Sequence, residues 1–288
     1  MIGVVGATSR LGGLVLRGLR ERGAEALALV RSPERAPPGP TRRCDLVRPE
    51  TLQPAVEGLD VVVSVAGASL APWPVWPRQS FRTVDAGGHA ALAEACATEG
   101  VQRVVYVSVF GDESMEALRY VRFHREAEVS LRAEVPEVVV ARPTGLFGAF
   151  DQLVPLAKRG VALQAGRPEA RTNPLSERDL ADRLVAAALR EVEPGTVDIG
   201  GPEILTRGAI WDLALAAHGQ RGLRLPAPNL GLWASAAAMW PVDRRAADVL
   251  RFVQHILNHD CVAPQLGTHT LADYWSQAPL NGGGSPAP

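Results

Sequence analysis

The stretch Met1-Ile-Gly-Val-Val-Gly6-Ala7-Thr8-Ser9-Arg10-Leu11-Gly12-Gly13 decides how this chain folds. Small apolar residues up to Gly6 read as a buried strand, and the amphipathic stretch 11–22 reads as the helix that follows. A tight glycine turn between strand and helix leaves backbone N–H groups free at the positive end of the helix dipole. Such a turn binds a pyrophosphate, which makes a dinucleotide the leading ligand. The loop residues Gly6, Thr8, Ser9, Arg10, Leu11 and Gly12 are its expected contacts. Glycine turns of this kind also occur without any ligand, so the rest of the chain has to agree.

Working outward, short apolar runs recur at 2–5, 26–30, 61–65, 104–107, 138–141 and 197–199. Helical patterns lie between them, at 11–22, 50–57, 81–98, 116–133 and 177–190. The runs are continuous rather than alternating, which implies burial on both faces and hence a parallel sheet. Strand–helix alternation then predicts an α/β fold, a Rossmann-type doubly wound parallel sheet. After Gly200-Gly201-Pro202 the strands are expected to stop, and 206–218, 230–239 and 244–256 read as helices. The organisation expected is a nucleotide-binding domain over 1–202, with 151–175 assignable to the substrate side. A small, mainly helical substrate-covering region follows over 203–275, and then a flexible tail over 276–288.

Composition narrows the partners. With 288 residues, 47% hydrophobic and 21% charged, the chain can bury a sizeable core. A net charge of −1 gives no electrostatic case for nucleic acid or an anionic membrane, which leaves a small molecule as the expected partner. Cys44, Cys96 and Cys261 are far apart and odd in number, suggesting neither a disulfide framework nor a cysteine zinc site. The apolar stretch 225–242 carries three prolines and an asparagine, a poor membrane span. No basic leader precedes the strand at Ile2, so the cytoplasm is the expected compartment. Oligomeric state stays open, a homodimer included.

The end of the second strand bears on the choice between NAD and NADP. An acidic residue there would bind the ribose 2′-hydroxyl, whereas a basic one accommodates a 2′-phosphate. The strand ends Leu29-Val30-Arg31-Ser32, and the loop contributes Arg10. Two arginines favour NADP(H) over NAD(H); as plain surface residues they would carry no such meaning.

The ordered series of segments resembles the atypical short-chain dehydrogenase/reductase family, in its NmrA-like and NAD(P)H-binding branch. Gly6-Ala7-Thr8-Ser9-Arg10-Leu11-Gly12 resembles its GxxGxxG loop, with Ser9 in place of the middle glycine. Arg43-Cys44-Asp45-Leu46 resembles the segment whose Asp contacts adenine, and Val65-Ala66-Gly67-Ala68 resembles the small-residue turn after strand four. Val107-Ser108, Ala141-Arg142-Pro143-Thr144-Gly145 and 173–181 complete the series, which covers roughly residues 1–205. The resemblance implies cofactor contacts at Asp45, Leu46, Ala66 and Gly67. It also implies a catalytic Tyr-x-x-x-Lys pair, matched here by Tyr120-Val-Arg-Phe-His124, with Ser108 in the place of the family serine.

His124 departs from that pattern. Residues i and i+4 share a helical face, but an imidazole is shorter than a lysine and mostly neutral at neutral pH. Tyr120 therefore reads equally as proton donor or as packed aromatic. Two functions follow: hydride transfer to or from a small apolar carbonyl or quinone-like substrate, or a non-catalytic NADP(H)-binding regulator. Trp73, Trp76, Trp233 and Trp240 form a candidate aromatic substrate pocket, with ordinary packing as the alternative. His255 and His259, one helical turn apart, read as an exposed helix end rather than a metal site. Glu126 and Glu128 read as the solvated side of their helix.

Overall fold

A computed structural model describes residues 1–71, 79–227 and 229–277, with 229–233 described as backbone only. In chain order the elements begin β1 (Ile2–Val5), α1 (Arg10–Glu21), β2 (Ala26–Val30), β3 (Thr41–Arg43), α2 (Leu52–Val56), β4 (Val61–Ser64), α3 (Gly88–Thr98) and β5 (Arg103–Val107). Then come α4 (Arg119–Glu134), β6 (Glu137–Pro143), α5 (Phe147–Phe150), α6 (Val154–Ala157), β7 (Val161–Ala165), β8 (Arg171–Thr172) and α7 (Glu177–Ala188). The chain continues with β9 (Gly195–Ile199), β10 (Leu205–Thr206), α8 (Arg207–Ala217), β11 (Leu223–Ala227), α9 (Asn229–Met239), α10 (Arg244–Ile256) and α11 (Leu271–Gln277).

Contacts divide these elements into two units. The first comprises Met1–Ala68, Gln79–Pro143 and Glu177–Ile199. Its seven strands pair in the order β3-β2-β1-β4-β5-β6-β9, and every pairing is parallel. Val4, Ala28, Leu29, Val62, Val63, Val104, Val105 and Val140 are fully enclosed, as continuous apolar runs require. Helix α1 turns Leu11, Val15, Leu16 and Leu19 inward, and its Gly18 packs closely on Val185 of α7. Helices α2, α3 and α4 form a second contiguous layer. Strand order reverses between β1 and β4, and such a switch point is where open α/β sheets bind their ligands.

The second unit comprises Thr144–Ser176 with the described residues at 69–71 and from 200 onward. Its core gathers Phe147, Ala157, Ala162, Ile210, Trp211, Leu215, Leu271 and Trp275. Asp151 fastens α11 into this core by accepting from the Tyr274 hydroxyl at 2.7 Å and the Trp275 indole N–H at 3.2 Å.

Strands do not stop after residue 202. Strand β10 pairs antiparallel with β8, and β11 pairs parallel with β7. Both were hidden from the sequence because β10 is two residues long and β11, Leu-Arg-Leu-Pro-Ala, is largely exposed and contains a proline. Strand β3 escaped notice for a similar reason, being a polar edge strand, Thr-Arg-Arg. The helix expected over 81–98 is compound: a π-helical turn, Arg82–Gly87, precedes α3. Among the described residues no helix is long and apolar enough to cross a membrane.

Candidate functional site

Gly6 closes β1 with its N–H on Leu29 O of β2 at 3.1 Å and turns the chain at φ +83°, where an L side chain is strained. A Cβ there would also press on Ala66 at 3.1 Å. Ser9 then caps α1, its Oγ accepting from Gly12 N–H at 3.0 Å. Gly12 has no room for a side chain, since a Cβ would overlap Gly6 O and lie 2.8 Å from Ala7 Cα. Helix geometry leaves the opening amides of α1 without carbonyl partners inside the helix, and Ser9 Oγ takes up that of Gly12. Thr8, Ser9 and Arg10 are exposed, whereas Leu11 is buried and anchors the helix. A helix N-terminus of this kind offers backbone donors and a dipole to an anion.

The two arginines differ. Arg10 lies 3.9 Å from the buried Glu177 of α7, which offsets part of its charge. Arg31 is exposed at the end of β2, and among the described residues no ion pair engages it. Asp45 is half-buried, accepts from Val47 N–H at 3.2 Å and stands 3.8 Å from Arg48. Leu46 is buried beneath Gly88, whose missing side chain lets α3 approach it. Ala66 and Gly67 form the turn after β4, and Gly67 is exposed there.

Beside that turn lies a buried polar cluster that the sequence did not reveal. Ser64, Asp85, His89, Tyr106, Tyr120 and His124 are all under a tenth exposed. Ala68 N–H faces both Asp85 carboxylate oxygens at 3.3 Å. His89 bonds Ser64 Oγ at 2.9 Å and Asp85 O at 2.9 Å. His124 Nδ1 bonds Tyr120 O at 3.0 Å, while its Nε2 lies 3.7 Å from Asp85 Oδ1. The Tyr120 ring packs edge-on against Phe81 and His124.

Electrostatics in this cluster run opposite to what a Tyr-Lys pair would supply. Burial, then the neighbouring Asp85 charge, raises the Tyr120 hydroxyl above the ordinary phenol range. Burial pushes His124 down to about 4, so it is neutral, and pushes Asp85 up to about 7. The structure therefore brings Tyr120 and His124 together, with His124 neutral where the family pattern has a lysine.

Ser108 sits elsewhere. Its hydroxyl donates to Glu128 at 2.6 Å, and both residues are buried. Glu128 is thus not on a solvated face. It accepts from Arg142 at 2.6 and 2.9 Å and from Arg125 at 2.8 Å, with Arg132 at 3.4 Å. Burial alone would raise its carboxyl, but bonds from Arg142 and Ser108 and the Arg125 charge hold it below the usual carboxylate range. Glu126, two residues earlier, pairs with Arg122 on the exposed side.

Trp73 and Trp76, and the side chain of Trp233, lie outside the described residues. Trp240 has two guanidinium groups over its ring, Arg251 at 4.8 Å and Arg244 at 5.5 Å from the centroid. His255 and His259 stack at 4.1 Å, and among the described residues no group of three or more His, Cys, Asp or Glu is placed to hold a metal.

Comparison with known proteins agrees with this geometry. A family model described as NAD(P)H-binding matches residues 6–191. A ceramide reductase of Caulobacter vibrioides is 28% identical over 248 residues, covering 80% of this chain and 75% of its own. The NADPH-dependent quinone oxidoreductase of Escherichia coli, solved with NADPH, superposes with a TM-score of 0.76 at 19% identity, over 96% of this chain and 99% of that one. A nucleoside-diphosphate-sugar epimerase of Staphylococcus aureus superposes with a TM-score of 0.78 at 17% identity, again over 96% and 99%. The structural likenesses are likenesses of fold, and the family match spans the glycine loop and most of the seven-stranded sheet. The chain belongs to the NAD(P)H-binding family, with the Rossmann-like architecture of the atypical short-chain dehydrogenases/reductases.

Proposed function

We propose that the chain is an NADPH-dependent reductase of a small, apolar carbonyl or quinone-like compound. The observation that carries the reading is the loop at Gly6–Gly12, whose left-handed turn at Gly6 and want of room for a side chain at Gly12 bring bare backbone to the N-terminus of α1, where a pyrophosphate would sit. Arg31, exposed and without an ion pair among the described residues, supports the 2′-phosphate form over NAD(H). Asp45 and Leu46 take the adenine side, and Ala66 and Gly67 the nicotinamide side. The second unit is assigned to substrate recognition. The names of two similar proteins, a quinone oxidoreductase and a ceramide reductase, support an apolar substrate.

Bound NADPH would supply the hydride. Tyr120 keeps its proton at neutral pH, so it serves as a donor and not as a resting base. His124 holds the Tyr120 backbone and packs on its ring. Ser108, committed to Glu128, is left with a structural part.

One observation favours a second reading, the non-catalytic NADP(H)-binding regulator of NmrA type. The position of the family lysine holds His124, which burial keeps neutral, and a sensor needs no charge there. NADPH oxidation against a panel of aldehydes, ketones and quinones, run beside direct NADPH binding, separates the two. Turnover with any member supports the reductase. Tight binding with no turnover across the panel transfers the assignment to the regulator.

A further inference from the structure

Asp85 is fully buried in the π-helical turn Arg82–Gly87, and π-helical turns occur frequently at functional sites. Besides its own backbone N–H, its carboxyl is approached from two other elements. On one side is the turn after β4: Ala68 N–H reaches both oxygens at 3.3 Å, and a Cβ on Gly67 would come within 2.9 Å of Oδ1. On the other side is α4, with His124 Nε2 at 3.7 Å from the same Oδ1.

The hydrogen bonds of this cluster fix where its protons are. Each imidazole places Nδ1 against a backbone carbonyl, Asp85 O for His89 and Tyr120 O for His124, so each Nδ1 carries the hydrogen. In the neutral rings Nε2 is then an acceptor. His89 Nε2 is satisfied by the Ser64 hydroxyl at 2.9 Å. His124 Nε2 faces Asp85 instead. With Asp85 ionised both facing atoms are acceptors, so this 3.7 Å contact is not a hydrogen bond and the carboxylate is held from the Ala68 side.

We propose that Asp85 is a positioning residue for the cofactor: its carboxyl holds the turn after β4 through the Ala68 N–H, and it does so more firmly as the carboxylate. The proposal rests on the reading that Ala66 and Gly67 contact the cofactor. A charge-assisted bond to an amide is roughly twice as strong as a neutral one, so ionisation stiffens the turn and protonation loosens it. The surroundings set the window. His89 lies on the following helix, Tyr106 on β5, and Tyr120 and His124 on α4, and all are neutral at neutral pH. Arg125 and Glu128, further along α4, act on His124 with opposite sign, and Arg82 on Asp85's own turn is exposed. Burial dominates and moves the Asp85 transition up to about 7, against the bond from Ala68 N–H, which lowers it.

The test compares the native protein with Asp85→Asn, whose amide oxygen still accepts from Ala68 but cannot ionise. NADPH affinity is titrated from about pH 8 to about pH 6, bracketing the expected transition. Native affinity should fall about three- to tenfold relative to the variant as pH falls, the loss expected for trading a charged acceptor for a neutral one. Using one ligand for both proteins cancels the cofactor's own phosphate titration.

A second readout needs no cofactor. A buried acid with a raised folded pKa binds its proton more tightly folded than unfolded. Native stability should therefore decline relative to Asp85→Asn between about pH 4 and about pH 7. Should the variant not fold, carboxyl-carbon NMR of the native protein reads the same ionisation: a transition near neutrality supports the proposal, and one in the ordinary aspartate range overturns it. Identical affinity profiles in the two proteins, with NADPH bound, overturn the role of Asp85 alone. Absence of NADPH binding to the native protein at every pH overturns the cofactor reading beneath it, while the stability difference still reports the Asp85 ionisation.

Discussion

Ser9 Oγ accepts the Gly12 N–H at 3.0 Å, so the residue standing in the loop's middle position is also the cap of α1. Its own hydroxyl hydrogen stays available to an anion at the helix terminus. Ser9→Ala should cost about 1 kcal/mol of stability, the usual loss for a serine cap. Urea unfolding measures this, and NADPH binding should weaken in the same variant. A variant as stable as the native protein would show that the cap contributes nothing.

Gly12 is constrained more severely, because a Cβ would meet Gly6 O and Ala7 Cα at the β1–α1 junction. Gly12→Val should abolish cofactor binding or cooperative folding. Circular dichroism and an NADPH titration of the purified variant decide it. A folded variant with native affinity would remove the glycine loop from the account.

Glu128 joins Ser108, Arg125 and Arg142 inside the first unit. Glu128→Gln should destabilise the protein by about 2–3 kcal/mol. That is less than for a fully buried pair, because both arginines keep some solvent contact. The folded carboxyl is held below its ordinary range, so its stabilisation is present above the unfolded pKa and lost as pH falls through the folded one. Native stability should then drop more steeply than the variant's below about pH 4. Parallel pH profiles would contradict this.

Five strands of the sheet, β1, β2, β4, β5 and β6, were legible because burial on both faces leaves a continuous hydrophobic run, as in Val61–Ser64 and Arg103–Val107. The glycine loop was legible because its constraint is local. What the sequence concealed depends on partners far along the chain. Glu128 looks like its solvated neighbour Glu126 until Arg142 arrives from β6. Asp85 gains meaning only when Ala68 and His124 meet it from a loop and another helix. Strands β3, β10 and β11 carry no apolar signature, since pairing at an exposed edge does not require one.

Tyr120 separates enzyme from sensor. Tyr120→Phe keeps the edge-on packing with Phe81 and His124 and removes only the hydroxyl. If the hydroxyl donates the proton, turnover should fall by roughly 10²–10⁴-fold while NADPH affinity stays nearly unchanged. Steady-state rates on any substrate found in the carbonyl and quinone panel give the answer. Native turnover in the variant would place the proton donor elsewhere.

The central claim is that the Gly6–Gly12 cradle, with Arg31 beside it, binds a 2′-phosphorylated dinucleotide. Calorimetric titration of the native protein and of Arg31→Asp with NADPH and NADH tests it most directly. The account predicts that NADPH binds the native protein in the micromolar range and more tightly than NADH. In Arg31→Asp the preference should narrow, because a carboxylate repels the phosphate. Equal affinity of the native protein for both cofactors would contradict the assignment of Arg31, and no binding of either would contradict the cradle itself.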